Sequence, residues 1–227
     1  MTEIKAALFD FDGTLAHLTV DFKHMRALVL AELEDILGPD APALSRRELP
    51  VMEFIYEACS WAAANGQGHA IQAEIARRTE AAVSAYEVEA ARASSLFPFT
   101  ENLLNSLKKQ GIKTAIVTRN CRAAVETIFP AHAALCDALV SRGDVRPEDL
   151  KPQPGQLLAA LAAIGSPAEN AVMVGDHPMD VISGRAAGCL TAGVLTGSAD
   201  AEGMAGVFPD WLAEDAAGLF KELGLYA

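Results

Sequence analysis

The chain has 227 residues, 51% of them hydrophobic, and carries 18 Lys and Arg against 30 Asp and Glu, a formal net charge of −12. That is material for one large domain or a core with a smaller insert. The acidic balance, with no basic cluster beyond pairs such as Arg46-Arg47 and Arg77-Arg78, argues against nucleic acid as a partner. No apolar run reaches membrane-spanning length, and Met1-Thr2-Glu3 begins nothing like a signal peptide. Cys59, Cys121, Cys136 and Cys189 are scattered without paired spacing. A reduced, cytoplasmic protein with no membrane partner is the expectation.

Residues 4–9 form an apolar run of strand length, ended by Asp10-Phe11-Asp12-Gly13-Thr14-Leu15, in which Gly13 supplies the break. Alternation along that strand and into the turn would leave Asp10 and Asp12 on one side. Two like charges buried together are costly unless a cation or a shared proton compensates. Residues 22–37 have apolar spacing of three and four and close at Gly38-Pro39, which predicts a helix. Residues 46–64 and 69–93 read as two more helices, separated by Asn65-Gly66-Gln67-Gly68. Those glycines lack a third at dinucleotide-binding spacing, and no P-loop or zinc signature is present.

From Phe97 onward helix and strand alternate. Thr100 is read as the cap of a helix running to Gln110, with Gly111 beyond its end. There follow strand 112–118, helix 121–129, strand 136–140, helix 154–164, strand 171–175, helix 180–187 and strand 190–195. Short apolar strands between helices predict an α/β fold, a Rossmann-like parallel sheet covered on both faces. Ligands of such sheets bind beyond the carboxyl ends of the strands, which is where Asp10, Thr118 and Asp176 fall.

The D-x-D-G-T-L motif at 10–15 resembles the start of the haloacid dehalogenase superfamily of phosphohydrolases. Thr118-Arg119-Asn120 resembles that family's second motif, Lys151-Pro152-Gln153-Pro154 its third, and Gly175-Asp176-His177-Pro178-Met179-Asp180 its fourth. Four motifs in the family's order carry far more weight than any one of them. The resemblance implies a core of residues 1–15 and 96–227, with residues 16–95 as an inserted all-helical cap roofing the site. Among members it points to the phosphoglycolate phosphatase-like group, although Ala16-His17 stands where relatives often carry an acidic or polar pair.

Through that resemblance Asp10 is expected to attack phosphorus as a nucleophile. Asp12 would protonate the leaving oxygen and then help a water attack the phosphoenzyme. Asp10, the backbone carbonyl of Asp12, and Asp176 would hold Mg²⁺, with Asp180 behind them orienting water or Lys151. Thr118, Arg119, Asn120 and Lys151 would bind the substrate phosphate. Each residue also has a plainer reading: a solvated turn for the aspartates, a β-branched strand residue for Thr118, a surface lysine for Lys151 and a helix-start carboxylate for Asp180. His177 and Arg119 have open roles. His17, His24, Arg26, Arg77 and Arg78 read better as a solvated charged face than as substrate contacts. The expected activity is hydrolysis of a small phosphorylated metabolite by a monomer or homodimer. A sugar-phosphate mutase or phosphotransferase, and a non-catalytic phosphate-binding protein of the same fold, are the alternatives.

Overall fold

The computed structural model describes residues 3–17, 19–38 and 49–226. The chain divides into two compact units, residues 1–18 with 91–227 and residues 19–90. In the first, six strands form one parallel sheet: β1 (Ala6–Phe9), β2 (Lys113–Val117), β3 (Ala138–Val140), β4 (Ala171–Gly175), β5 (Leu190–Val194) and β6 (Trp211–Ala213). Their spatial order is β3-β2-β1-β4-β5-β6, so the order reverses beside β1. A crevice at the carboxyl ends of the strands is the expected ligand site there.

Strand alternation explains why the sheet is covered twice. Ala7 and Phe9 enter one cluster with Ile116, Val172, Val174, Ala192 and Val194. Against it lie α4 (Thr100–Lys109) through Leu103, Leu104 and Leu107, and α10 (Ala216–Glu222) through Leu219 and Phe220. Ala6 and Leu8 enter the opposite cluster with Ala115, Val117 and Met173, under α7 (Gly155–Ile164) and the end of α8 (Pro178–Ala187). The central strands are apolar at nearly every position because both faces are buried.

The helical unit has its own core. It comprises α1 (Phe22–Leu37), α2 (Val51–Ala64) and α3 (His69–Ala91), whose Met25, Val29, Leu33, Phe54, Ile55, Ala58, Ile75 and Val83 pack together. Asp21 caps α1 through the N–H groups of Lys23 and His24, as an N-cap aspartate does. Arg78 bridges Glu32 and Asp35, Arg77 pairs with Glu74, and Arg26 donates to the carbonyl of Leu49 while covering the Phe54 ring.

Several element limits differ from the sequence reading. Of the helix expected at 46–64, residues 46–48 lie outside the described residues and the observed helix begins at Val51, after Pro50 as N-cap. Thr100 is not a cap but the first residue of α4; Phe99 is the N-cap, and the Thr100 hydroxyl donates to Leu15 O at 2.6 Å. A short helix, α6 (His132–Leu135), and α9 (Ala201–Ala205), β6 and α10 add to what the sequence suggested, and α5 (Arg122–Ile128) is shorter than expected. Ala16 pairs with Leu96, and His17 N donates to Ser95 O at 2.9 Å. That pairing carries both neck segments into the sheet unit, whose limits at 18 and 91 lie a few residues inside the 16–95 span read as the insert. Among the described residues no helix is long and apolar enough to cross a membrane.

Candidate active site

Asp10 follows β1 directly, and its N–H donates to Val174 O at 2.9 Å, which continues the ladder to β4 for one residue. Phe11 continues the parity of Ala7 and Phe9 into the apolar cluster, leaving Asp10 and Asp12 on the other parity. The Phe11 carbonyl then accepts from the N–H groups of Leu15 and Ala16, which turns the chain sharply. Gly13 sits at φ 79°, and a Cβ there would stand 2.6 Å from the carboxyl carbon of Asp176. Both the left-handed backbone and the close approach require glycine.

Lys151, 2% exposed, arrives from the loop before α7 and places its ammonium between two carboxylates. Nζ lies 2.7 Å from Asp10 Oδ1, 2.7 Å from Asp180 Oδ1 and 2.9 Å from Val117 O. Three acceptors match the three protons of an ammonium. Burial opposes its charge, but Asp10 and Asp180 outweigh that and raise its pKa. Asp180 is held at its other oxygen by His177 N at 3.1 Å and closes the first turn of α8. Burial, offset in part by Lys151, pushes the Asp180 carboxyl upward. A Cβ on Gly175 would meet the Asp180 side chain at 2.3 Å, so the glycine of this motif makes room for its second aspartate.

Asp176, 3% exposed, follows β4. Its Oδ2 accepts from Ser198 N at 2.7 Å and Ser198 Oγ at 2.9 Å. Burial first, then the charge of Asp10, raises its pKa to about 6 despite those two bonds. Carboxylate oxygens of Asp10, Asp176 and Asp180 all lie within 4.8 Å of one another. Lys151 pairs directly with Asp10 and Asp180, whereas Asp176 faces Asp10 with its hydrogen bonds and only the more distant charge of Lys151 to support it. Hard oxygens around an under-compensated negative charge fit Mg²⁺, with Asp10 and Asp176 as the side chains suited to hold it.

The second motif lies at the end of β2. Thr118 is 2% exposed, and its hydroxyl oxygen accepts from Asn120 N at 3.0 Å, which leaves its proton to donate. The Asn120 side chain is directed to Asp12, with Nδ2 2.8 Å from Oδ2. Arg119 Nη1 reaches Met179 Sδ at 3.6 Å, beside the fourth motif. His177 Nδ1 accepts from Met179 N at 3.1 Å, which assigns the proton of the neutral ring to Nε2. Burial first, then Lys151 and Arg119 acting against Asp10, lowers its pKa. His17 packs on Phe97, and His24 on Tyr86, each within its own unit.

The structure therefore brings Asp10, Lys151, Asp176 and Asp180 into one cluster and joins Asp12 to Asn120. Two supporting residues escaped the sequence reading. Gln156 is fully buried; its Oε1 accepts from Lys151 N at 3.2 Å and its Nε2 donates to Thr118 O at 2.7 Å. It ties the second motif to the third. Ser198 belongs to the loop after β5, where Thr196 Oγ1 also donates to Gly13 O at 2.5 Å. The signal for that loop was a Thr-Gly-Ser cluster at the carboxyl end of an apolar strand.

The profile of the haloacid dehalogenase-like hydrolases matches residues 4–188, and the chain belongs to that family. Within it the chain resembles the phosphoglycolate phosphatases, which sets it among the phosphoric monoester hydrolases. It is 28% identical to the phosphoglycolate phosphatase of Mannheimia succiniciproducens, over 97% of this chain and 98% of that one. It is also 29% identical to the pyrophosphatase PpaX of Bacillus velezensis, over 98% and 97% of the two chains. The crystal structure of a predicted phosphoglycolate phosphatase from Haemophilus somnus 129pt shares the fold, with a TM-score of 0.65, 23% identity, and coverage of 98% and 99%.

Proposed function

We propose that this enzyme hydrolyses a small phosphorylated metabolite, phosphoglycolate or a sugar phosphate, with Mg²⁺ and through an aspartyl-phosphate on Asp10. The observation that carries the reading is Asp10 itself, at a strand end, ion-paired to buried Lys151 at 2.7 Å beside the carboxylates of Asp176 and Asp180. A carboxylate oriented by a fixed ammonium at a strand end is placed to attack.

An Asp10 oxygen bonds to phosphorus as the ester P–O bond breaks, and Asp12 gives its proton to the departing oxygen. A water then attacks phosphorus, its proton returns to Asp12, and phosphate leaves with Asp10 restored. The Thr118 hydroxyl and Arg119 are the donors we assign to the phosphoryl oxygens, and Lys151 offsets the charge gathered around them. Asp10, the Asp12 carbonyl and Asp176 would hold Mg²⁺, which when bound neutralises negative charge on the phosphoryl group. We read the helical unit as the family's cap domain.

The test is phosphate release from a panel of monoesters, with inorganic pyrophosphate included because of the 29% identical relative. Release that requires Mg²⁺ and is abolished by chelator supports the reading. A folded protein that releases phosphate from none of them, but transfers it between sugar phosphates, would replace hydrolysis with mutase chemistry.

A further inference from the structure

Asn120 is held at four atoms. Its N–H donates to Thr118 Oγ1 at 3.0 Å, and its carbonyl accepts from Arg142 N at 3.2 Å. Its side-chain Oδ1 accepts from Cys121 N at 2.7 Å, and Nδ2 donates to Asp12 Oδ2 at 2.8 Å. The residue is 7% exposed. A side-chain amide is ambiguous only until one end meets a group of fixed polarity. Here the backbone N–H of Cys121 can only donate, so the oxygen must face it and the NH₂ must face Asp12.

We propose that Asn120 is a positioning residue for Asp12, and that it does so by fixing which carboxyl oxygen carries the transferable proton. This inference rests on the reading of Asp12 as the acid of the reaction. With Oδ2 engaged as an acceptor, the proton of the acid form resides on Oδ1. In the first step that proton passes from Oδ1 to the ester oxygen as the P–O bond breaks and the Asp10–phosphorus bond forms. The residue before Asn120 then serves the phosphate, while Asn120 serves the leaving group. This divides the second motif into two jobs along adjacent residues.

The consequence is leaving-group selectivity. An alkoxide departs only with help from an acid, whereas p-nitrophenolate departs well without it. General acid help is worth about 10²- to 10⁴-fold. The value of kcat/KM reports steps through departure of the leaving group, so it isolates this proton transfer from the later hydrolysis. The experiment compares 2-phosphoglycolate and glycerol 3-phosphate with p-nitrophenyl phosphate in wild type, Asn120→Ala, Asn120→Asp and Asp12→Asn. Asn120→Asp keeps the acceptor for Cys121 N and replaces the donor; Asn120→Ala removes both, so either variant alone suffices if the other does not fold.

The ratio of kcat/KM for the aryl ester to that for the alkyl esters should rise about 100-fold in Asp12→Asn. It should rise at least about 10-fold in the Asn120 variants. A rise in Asp12→Asn with an unchanged ratio in the Asn120 variants would overturn the positioning role alone, since loss of phosphate binding or of general structure lowers both esters together. An unchanged ratio in Asp12→Asn would overturn the acid role of Asp12, and this inference with it.

Discussion

Lys151 Nζ and Asp10 Oδ1, from residues 141 apart in the chain, meet at 2.7 Å with only 2% of the lysine side chain exposed. The same ammonium holds Asp180, whose side chain is 1% exposed. Removing one member of a buried charge set leaves the others uncompensated, a loss of about 3–5 kcal/mol. Lys151→Met should therefore unfold at lower denaturant, by about 3 kcal/mol in metal-free protein. Adding Asp180→Asn to Lys151→Met should restore part of that loss, because it deletes one stranded carboxylate. A double variant no more stable than Lys151→Met would refute this coupling.

Asp176 sets a pH dependence of the metal-free protein. Its carboxyl is raised from 3.8 to about 6, by burial and then by Asp10. The native state thus keeps a proton that the unfolded chain has released, so stability is highest below about pH 4 with respect to this group. It falls as pH rises from about 4 to 6. Two pKa units correspond to about 3 kcal/mol. Equilibrium unfolding of wild type and Asp176→Asn should show wild type losing ground to the variant by about that amount across the window. Mg²⁺ should return the lost stability above pH 6 in wild type and not in Asp176→Asn.

Gly197 packs directly against the same carboxylate; a Cβ there would lie 2.0 Å from Asp176 Oδ2. Gly197→Ala must displace Asp176 or the loop carrying Ser198. The expected result is a weaker half-saturation by Mg²⁺, about tenfold, with a stability loss of about 1–3 kcal/mol from overpacking. Calorimetric titration of the ion into the folded variant checks the first, and denaturant unfolding the second.

Much of this architecture is written locally in the chain. The strands leading to Asp10 and Asp176 are continuous apolar runs, and the one leading to Thr118 ends in one, because both faces of the sheet are buried; a glycine next to each aspartate motif marks where side chains must pass closely. The elements that were missed lack such runs. β6 is three residues long and only partly buried, and α6 and α9 are single turns or little more. Gln156 reads in sequence as a polar interruption of an apolar helix, and Ser198 as loop filler. Their roles arise from residues 38 and 22 positions away, and the Asp12–Asn120 bond spans 108. Such pairings depend on how the strand ends converge, which periodicity does not encode.

The central claim is covalent capture of phosphorus by Asp10, and the direct measurement is an acid quench of wild type during turnover of a phosphate monoester with Mg²⁺, followed by peptide mass analysis. One phosphoryl group on the peptide containing Asp10, labile to hydroxylamine and absent from Asp10→Asn, is the predicted result. Phosphate release by Asp10→Asn at the wild-type rate, or a wild type that turns over with no such adduct on the quench timescale and with inversion at a chiral phosphorus, would contradict it.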